Sequence, residues 1–413
     1  MSQPVVGQYG IPFPADVGGL REAGIDFLTT AFRASGVLSS DNAVTSIDDC
    51  TPVHGGSTGR KALLTVRYRR PEPGLRTELF AKFSRDLDDP VRDLGRTQME
   101  SEVALANLAS SPRFPVAVPH PQFADYHRPS GTGLLITERI AFGRNGIEPQ
   151  YEKAMDHRIP DQYGHYRALL SAVAALAGTQ QSGALGAGVI DHFPFDLRSA
   201  TVGELPPMTP EKLTRRLDQL TDFAAAQPGL LPDRVRDPAF LHRLATEAPE
   251  VLDDQQSVWD ELGARAEYIA LCHWNANVDN AWFFHDDAGA LRCGLLDWGC
   301  VGRMNVAMAI WGALCAAETS LWDAHLTALL RLFTDEMHRY GGAALDPREL
   351  ERLVRRYAAV MGITWLLDVP ARIRARLGPD PGALTRTDPR IAGDESLRAP
   401  LQMLANLLNL WAR

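Results

Sequence analysis

The stretch His273-Trp274-Asn275-Ala276-Asn277-Val278-Asp279-Asn280, with Leu295-Leu296-Asp297-Trp298-Gly299 downstream, decides how the chain is read. Two asparagines stand five residues apart, at 275 and 280, and Asp297 follows seventeen residues later. Asp297 comes after the apolar run of Cys293, Leu295 and Leu296 and before Trp298-Gly299, a strand followed by a turn. The His-x-Asn portion alone says little, since short polar loops are common. Joined to the downstream Asp-Trp-Gly, it becomes a pattern with a defined spacing.

Composition sets the bounds around that pattern. A chain of 413 residues with 45% hydrophobic content can bury a large core and suggests two lobes or two to three domains. The net charge of -9 argues against a general nucleic-acid binder, which needs an excess of Lys and Arg on one face. The five cysteines (Cys50, Cys272, Cys293, Cys300 and Cys315) are odd in number and form no C-x-x-C pair. They read as buried thiols in a reducing cytoplasm, not as a disulfide framework or zinc site. The start, Met1-Ser2-Gln3-Pro4, has no basic region followed by an apolar one. No uncharged stretch reaches the roughly 18 residues needed to span a bilayer, so a cytoplasmic protein without a membrane span is expected.

Residues 1 to about 45 read as a helical leader, with apolar residues near helical spacing from Leu20 to Leu38 and a turn at Ser39-Ser40-Asp41-Asn42. Strands follow. Ala62 to Tyr68 and Glu78 to Phe83 are rich in β-formers and flank the turn Pro71-Glu72-Pro73-Gly74, which predicts a hairpin. The pattern turns helical between Met99 and Leu108, and Gly133 to Ile140 is extended again. From Tyr163 to Gly178 the apolar residues fall on one helical face. Helices are expected at 321–340, at 347–366 with Asp346 as N-cap and Pro347 at the first helical position, and at 397–412. The run Ser84 to Arg96 reads as a solvated loop; the segment Gly378 to Pro400 reads as a surface connector or a loop over a cleft.

In its catalytic loop and its order of elements the chain resembles the aminoglycoside phosphotransferase and choline kinase superfamily, especially the phosphotransferases related to ecdysteroid kinase-like proteins. The resemblance covers roughly residues 45 to 340. It implies an α+β, bilobal protein-kinase-like fold with a small β-rich N-lobe over residues 46–140 and a large helical C-lobe over 141–413. It also implies ATP and Mg2+ as cofactors. His54-Gly55-Gly56-Ser57-Thr58-Gly59 looks like the glycine-rich phosphate loop, where Gly55 and Gly56 would bring backbone N–H groups close and Ser57 and Thr58 would add hydroxyls. Lys82 stands at the third-strand position, where resemblance implies pairing with the nucleotide phosphates, and Glu102 matches the helix glutamate that orients it, with Glu100 as the other choice. Leu134 to Ile140 looks like the strand into the hinge, where backbone groups of Glu138 and Ile140 would meet adenine. Asn280 and Asp297 match the metal-binding positions.

Two departures bear on function. Asn275 stands where the family has the aspartate that receives the substrate hydroxyl proton. An amide can orient a hydroxyl but cannot accept its proton, so Asp279 or His273 is the alternative base. Phosphoryl transfer depends mostly on positioning and charge neutralisation, so loss of the base need not abolish turnover. After Asp297 the family's further acidic residues are missing from Gly302 to Trp311. A polycationic aminoglycoside needs carboxylates in its cleft, so a less charged, partly apolar substrate is expected. Met304, Met308, Trp298 and Trp311 would line such a pocket or pack a helix into the core. Three functions remain open: an ATP- and magnesium-dependent phosphotransferase acting on a hydroxyl of a small molecule; a pseudokinase that binds nucleotide or a protein partner; and a different transfer reaction on the same fold.

Overall fold

The computed structural model describes residues 4–53, 58–197, 207–378 and 381–413. They form two compact units. Unit 1 comprises residues up to Asn145 together with Ala187–Phe193 and Gly294–Val301, and unit 2 comprises Gly146–Gly186, Pro194–Cys293 and Gly302–Arg413.

Unit 1 contains helix α1 (Val17–Ala34), strands β1 (Val44–Val53), β2 (Arg60–Tyr68) and β3 (Glu78–Phe83), helix α2 (Gln98–Leu108), and strands β4 (Pro121–His127) and β5 (Thr132–Glu138). The strands form one antiparallel sheet in the order β1-β2-β3-β5-β4. Alternation along the strands sends Leu64, Val66, Leu79, Ala81, Phe83, Leu134 and Ile136 into one core with Phe27, Leu28 and Phe32 of α1. The other face meets α2 through Met99, Val103 and Ala124. The expected hairpin pairs β2 with β3 in a register that sets Lys61 opposite Lys82. Directly opposed residues share a face, so both lysines stand on the α2 side.

Residues read as a separate leader belong to this unit. Val5–Val6 pairs with Pro12–Phe13, Asp16 caps α1 through the Gly19 N–H, and the helix shares its core with the sheet. The run from Ser84 to Arg96 is also more ordered than a solvated loop. Asp86 is buried, with Arg60 and Arg92 each 2.9 Å from its carboxylate, and Pro90–Asp93 is a short helix.

Unit 2 is largely helical: α3 (Gln162–Gln181), α4 (Pro210–Ala226), α5 (Pro238–Asp253) and α6 (Gln255–Ala264) precede β6 (Ile269–His273), β7 (Ala281–His285), β8 (Leu291–Leu295, whose last two residues fall in unit 1) and β9 (Val301–Asn305, whose first residue falls in unit 1). Helices α7 (Val306–Leu314), α8 (Thr319–Arg339), α9 (Pro347–Trp365), α10 (Val369–Leu377) and α11 (Glu395–Ala412) complete it. Every residue of α7 is buried, as befits a helix that is apolar all round. Met304, Met308 and Trp311 are therefore core residues, not the wall of a pocket. The α9 boundary falls where its sequence signals put it: Asp346 accepts the Arg348 N–H at 2.9 Å and Pro347 opens the helix. The described residues are thus α+β, with a five-stranded antiparallel sheet in unit 1 and mostly helices in unit 2. Its five cysteines are free thiols, three of them buried, and no helix among the described residues is long and apolar enough to cross a membrane.

Candidate functional site

In unit 1, β3, α2 and the turn after β8 bring three charged side chains together. Lys82 pairs with Glu102, and its Nζ lies 2.5 Å from Asp297 Oδ1. Lys82 and Glu102 are nearly sealed from solvent, whereas the Asp297 side chain is 37% exposed. Burial alone would pull the ammonium down, but Asp297 and Glu102 outweigh it and hold Lys82 above the usual lysine range. Of the two glutamates on α2, Glu102 is the partner; Glu100 faces outward to Arg128.

The backbone around Asp297 is built for this contact. Asp297 adopts the left-handed conformation (φ 60°, ψ 61°), which costs a residue with a Cβ about 1–3 kcal/mol and persists where surrounding structure enforces it. The Trp298 indole N–H donates to Leu295 O at 3.1 Å and closes the turn. A side chain at Gly299 would place a Cβ 2.9 Å from Glu102 Oε1, so glycine lets the turn lie against the ion pair.

Lys61, across the hairpin from Lys82, belongs to the same cluster. It makes no ion pair among the described residues; burial pulls its ammonium below the usual range, Asp297 works against this, and Lys82 adds to the fall. The sequence pattern did not single it out, although the hairpin register would have placed it beside Lys82. Of the proposed phosphate loop, Gly55, Gly56 and Ser57 lie outside the described residues, and Thr58 is half-buried before β2. At the proposed hinge, the Glu138 N–H donates to His120 O at 2.8 Å and its carboxylate pairs with Arg76 at 2.8 Å, contacts at the end of β5. Ile140 follows the strand, half-buried.

In unit 2, the loop between β6 and β7 holds the asparagines. His273 is fully buried and its Nδ1 faces the Asn275 N–H at 3.2 Å, a structural contact within the loop. Asn275 Oδ1 accepts from Asn277 Nδ2 at 2.8 Å and from Lys153 Nζ at 3.3 Å. Asn280 Nδ2 donates to Asn275 O at 2.9 Å, which leaves its Oδ1 as the atom available to a cation. Asp279 lies 3.4 Å from Lys153 Nζ; burial pushes its carboxyl above the usual range against the pull of that lysine. Lys153 is the second residue that pattern reading missed, because nothing in Tyr151-Glu152-Lys153 announces a partner 122 residues away.

Magnesium takes few protein ligands, often one or two carboxylates, and completes its shell with water and phosphate oxygens. Asp297, with its partly exposed carboxylate, fits that pattern, and the chain needs no cage. Among the described residues no group of three or more His, Cys, Asp or Glu side chains could hold a metal on its own.

No protein-family model matches the chain, and no curated protein does. Among solved structures, a spectinomycin phosphotransferase in complex with ADP and spectinomycin is similar over 89% of this chain and 93% of its own, at 9% identity and a TM-score of 0.42. A macrolide 2′-phosphotransferase type I is similar over 91% and 95%, at 14% identity and 0.39. A choline kinase from Cryptosporidium parvum Iowa II is similar over 84% and 89%, at 11% identity and 0.40. At such identities the functional reading rests on this chain's own residues.

Proposed function

We propose that the protein is an ATP- and magnesium-dependent phosphotransferase acting on a hydroxyl of a small, non-polycationic molecule. One observation carries the reading: a buried lysine held between a helix glutamate and an aspartate in a strained turn. A sealed Lys-Glu pair is a costly way to stabilise a fold, because desolvation offsets much of the attraction. It is a good way to keep an ammonium charged and aimed at polyphosphate oxygens. In this reading Lys82 and Lys61 neutralise phosphate charge, Glu102 orients Lys82, and Asp297 is the metal's carboxylate ligand. When bound, magnesium supplies charge neutralisation of the phosphates.

A pseudokinase is the second reading, and the state of Asn275 favours it. Its carbonyl oxygen already accepts two hydrogen bonds, so the position holds Lys153 and the loop in place and cannot take a proton. Asn275 therefore positions the acceptor in the first reading and marks a resting site in the second.

Calorimetric titration of ATP, with and without magnesium, into the protein and its Asp297→Ala variant tests the reading. Magnesium-dependent binding that falls at least about tenfold in the variant is expected. Absence of binding in both proteins would end it. Where ATP binds, a large gain in ADP release on Asn275→Asp would mark the native chain as a resting site, complete except for its base.

A further inference from the structure

Unit 2 contains a cavity of about 380 Å³, within the range of small-molecule sites. Its walls come from three stretches distant in sequence, with Met155, Glu318, Arg386, Ile391, Arg398 and Leu401 among them. The segment that contributes Arg386 and Ile391 lies inside the 378–400 stretch, so that stretch is more than a surface connector. Gln227 pins it by donating to Gly382 O at 2.9 Å and accepting from the Leu384 N–H at 3.0 Å.

The two guanidinium groups on the cavity are held differently. Arg386 lays both arms on Glu318, each at 3.0 Å. Arg398, only 9% exposed, spends Nε on Lys153 O at 2.9 Å and Nη1 on Ala392 O at 3.1 Å. Its carboxylate contacts are Glu152 at 3.3 Å and Glu395 at 3.5 Å, whose side chains are 53% and 61% exposed. Both carboxylates are largely exposed, so solvent screens their attraction for this guanidinium. Asp156 lies next to the wall, adjacent in sequence to Met155. Its Oδ2 accepts from Tyr166 at 2.7 Å and from the Glu318 N–H at 3.3 Å, and burial pushes its carboxyl up to about 7. Arg386, Arg398 and Glu318 are charged residues of the wall, Glu152 and Glu395 pair with Arg398, and the apolar surfaces of Met155, Ile391 and Leu401 lie beside them. The same wall reaches the asparagine loop, since Arg398 grips the carbonyl of Lys153, whose ammonium donates to Asn275 Oδ1 at 3.3 Å.

We propose that this cavity is the acceptor site and takes a small, partly apolar hydroxy acid whose carboxylate docks on Arg386 and Arg398. Guanidinium forks match carboxylates in shape and charge, and the apolar walls suit the body of such a molecule. The role as acceptor site rests on the phosphotransferase reading; the binding itself does not.

The test is calorimetric titration of the intact protein, without nucleotide, with mandelate, 3-hydroxybenzoate and 3-hydroxybutyrate, each beside its primary amide. At least one carboxylate is expected to bind, its amide on the order of tenfold more weakly. Arg386→Met should weaken the carboxylate by a similar factor, and Ser320→Phe, which fills the cavity from its rim, should abolish binding while thermal unfolding shows both variants folded. Equal binding of acids and amides, binding indifferent to both variants, or no binding of any of the three acids at millimolar concentration would overturn the proposal. Acid binding by a protein that fails to bind ATP would keep the site and remove its role as acceptor site; ATP binding without acid binding would keep the phosphotransferase reading and remove the site.

Discussion

At the scale of single residues, Lys82 is the side chain on which most depends. Replacing it by Met leaves Glu102 buried beside Asp297 with no cation between them, and breaking a buried pair from one side costs about 3–5 kcal/mol. Lys82→Met should therefore lower urea-unfolding stability by that order as well as weakening nucleotide binding. Adding Glu102→Gln should return much of the stability without returning the binding; an unchanged stability in the single variant would contradict the buried pairing. Asp156 gives a pH signature. Its folded carboxyl lies near 7, above its unfolded value, through burial and the Glu318 charge, with Tyr166 and Arg386 working the other way. The folded state thus binds the extra proton. Stability is fully present below the unfolded value and falls as pH rises toward 7, by up to about 4 kcal/mol for a shift of this size. Unfolding measured from pH 4 to 8 should show that fall, and Asp156→Asn should flatten it. Lys82, Glu102 and Asp297 were picked out through the family resemblance in the order of strand, helix and strand-turn, since a lone lysine in a strand or glutamate on a helix reads as a surface residue. Lys61 and Lys153 were not, since their partners are set by strand register and by packing between distant segments.

At the scale of elements, the loop that holds Asn275 is seated on α7. A Cβ at Gly312 would fall 1.7 Å from Trp274 O, and backbone cannot yield as a side-chain tip can. The neighbouring indole is also fixed, donating from Nε1 to Tyr357 Oη at 2.8 Å. Gly312→Ala should therefore cost at least about 2 kcal/mol by overpacking and disturb the loop, visible as a lower denaturant midpoint and altered tryptophan fluorescence. A variant as stable as the parent would mean that the loop can lift off the helix. Elements with chemical end signals were read well, as at Asp346-Pro347. The first helix was read three residues late at its start because its cap, Asp16, precedes the apolar pattern that betrays it. Periodicity also could not show that this helix covers the sheet, because α1 and the strands are joined by contacts that no local window contains.

At the scale of the whole molecule, the division into a smaller sheet-rich part and a larger helical part was legible from composition and the change of period along the chain. Its boundaries were not. The chain leaves unit 1 after Asn145 and returns to it twice, for Ala187–Phe193 and for Gly294–Val301. Short returns of this kind carry too few residues to announce themselves by pattern. The second return brings Asp297 to Lys82, and it has a genetic consequence. A coding fragment ending at Asn145 would supply the lysine and its glutamate but not the aspartate. Likewise, a single crossover between related genes near codon 146 would join a lysine from one parent to an aspartate from the other. The three charges are inherited together only on a segment that runs unbroken from codon 82 to codon 297, so their fit must be maintained across that whole span.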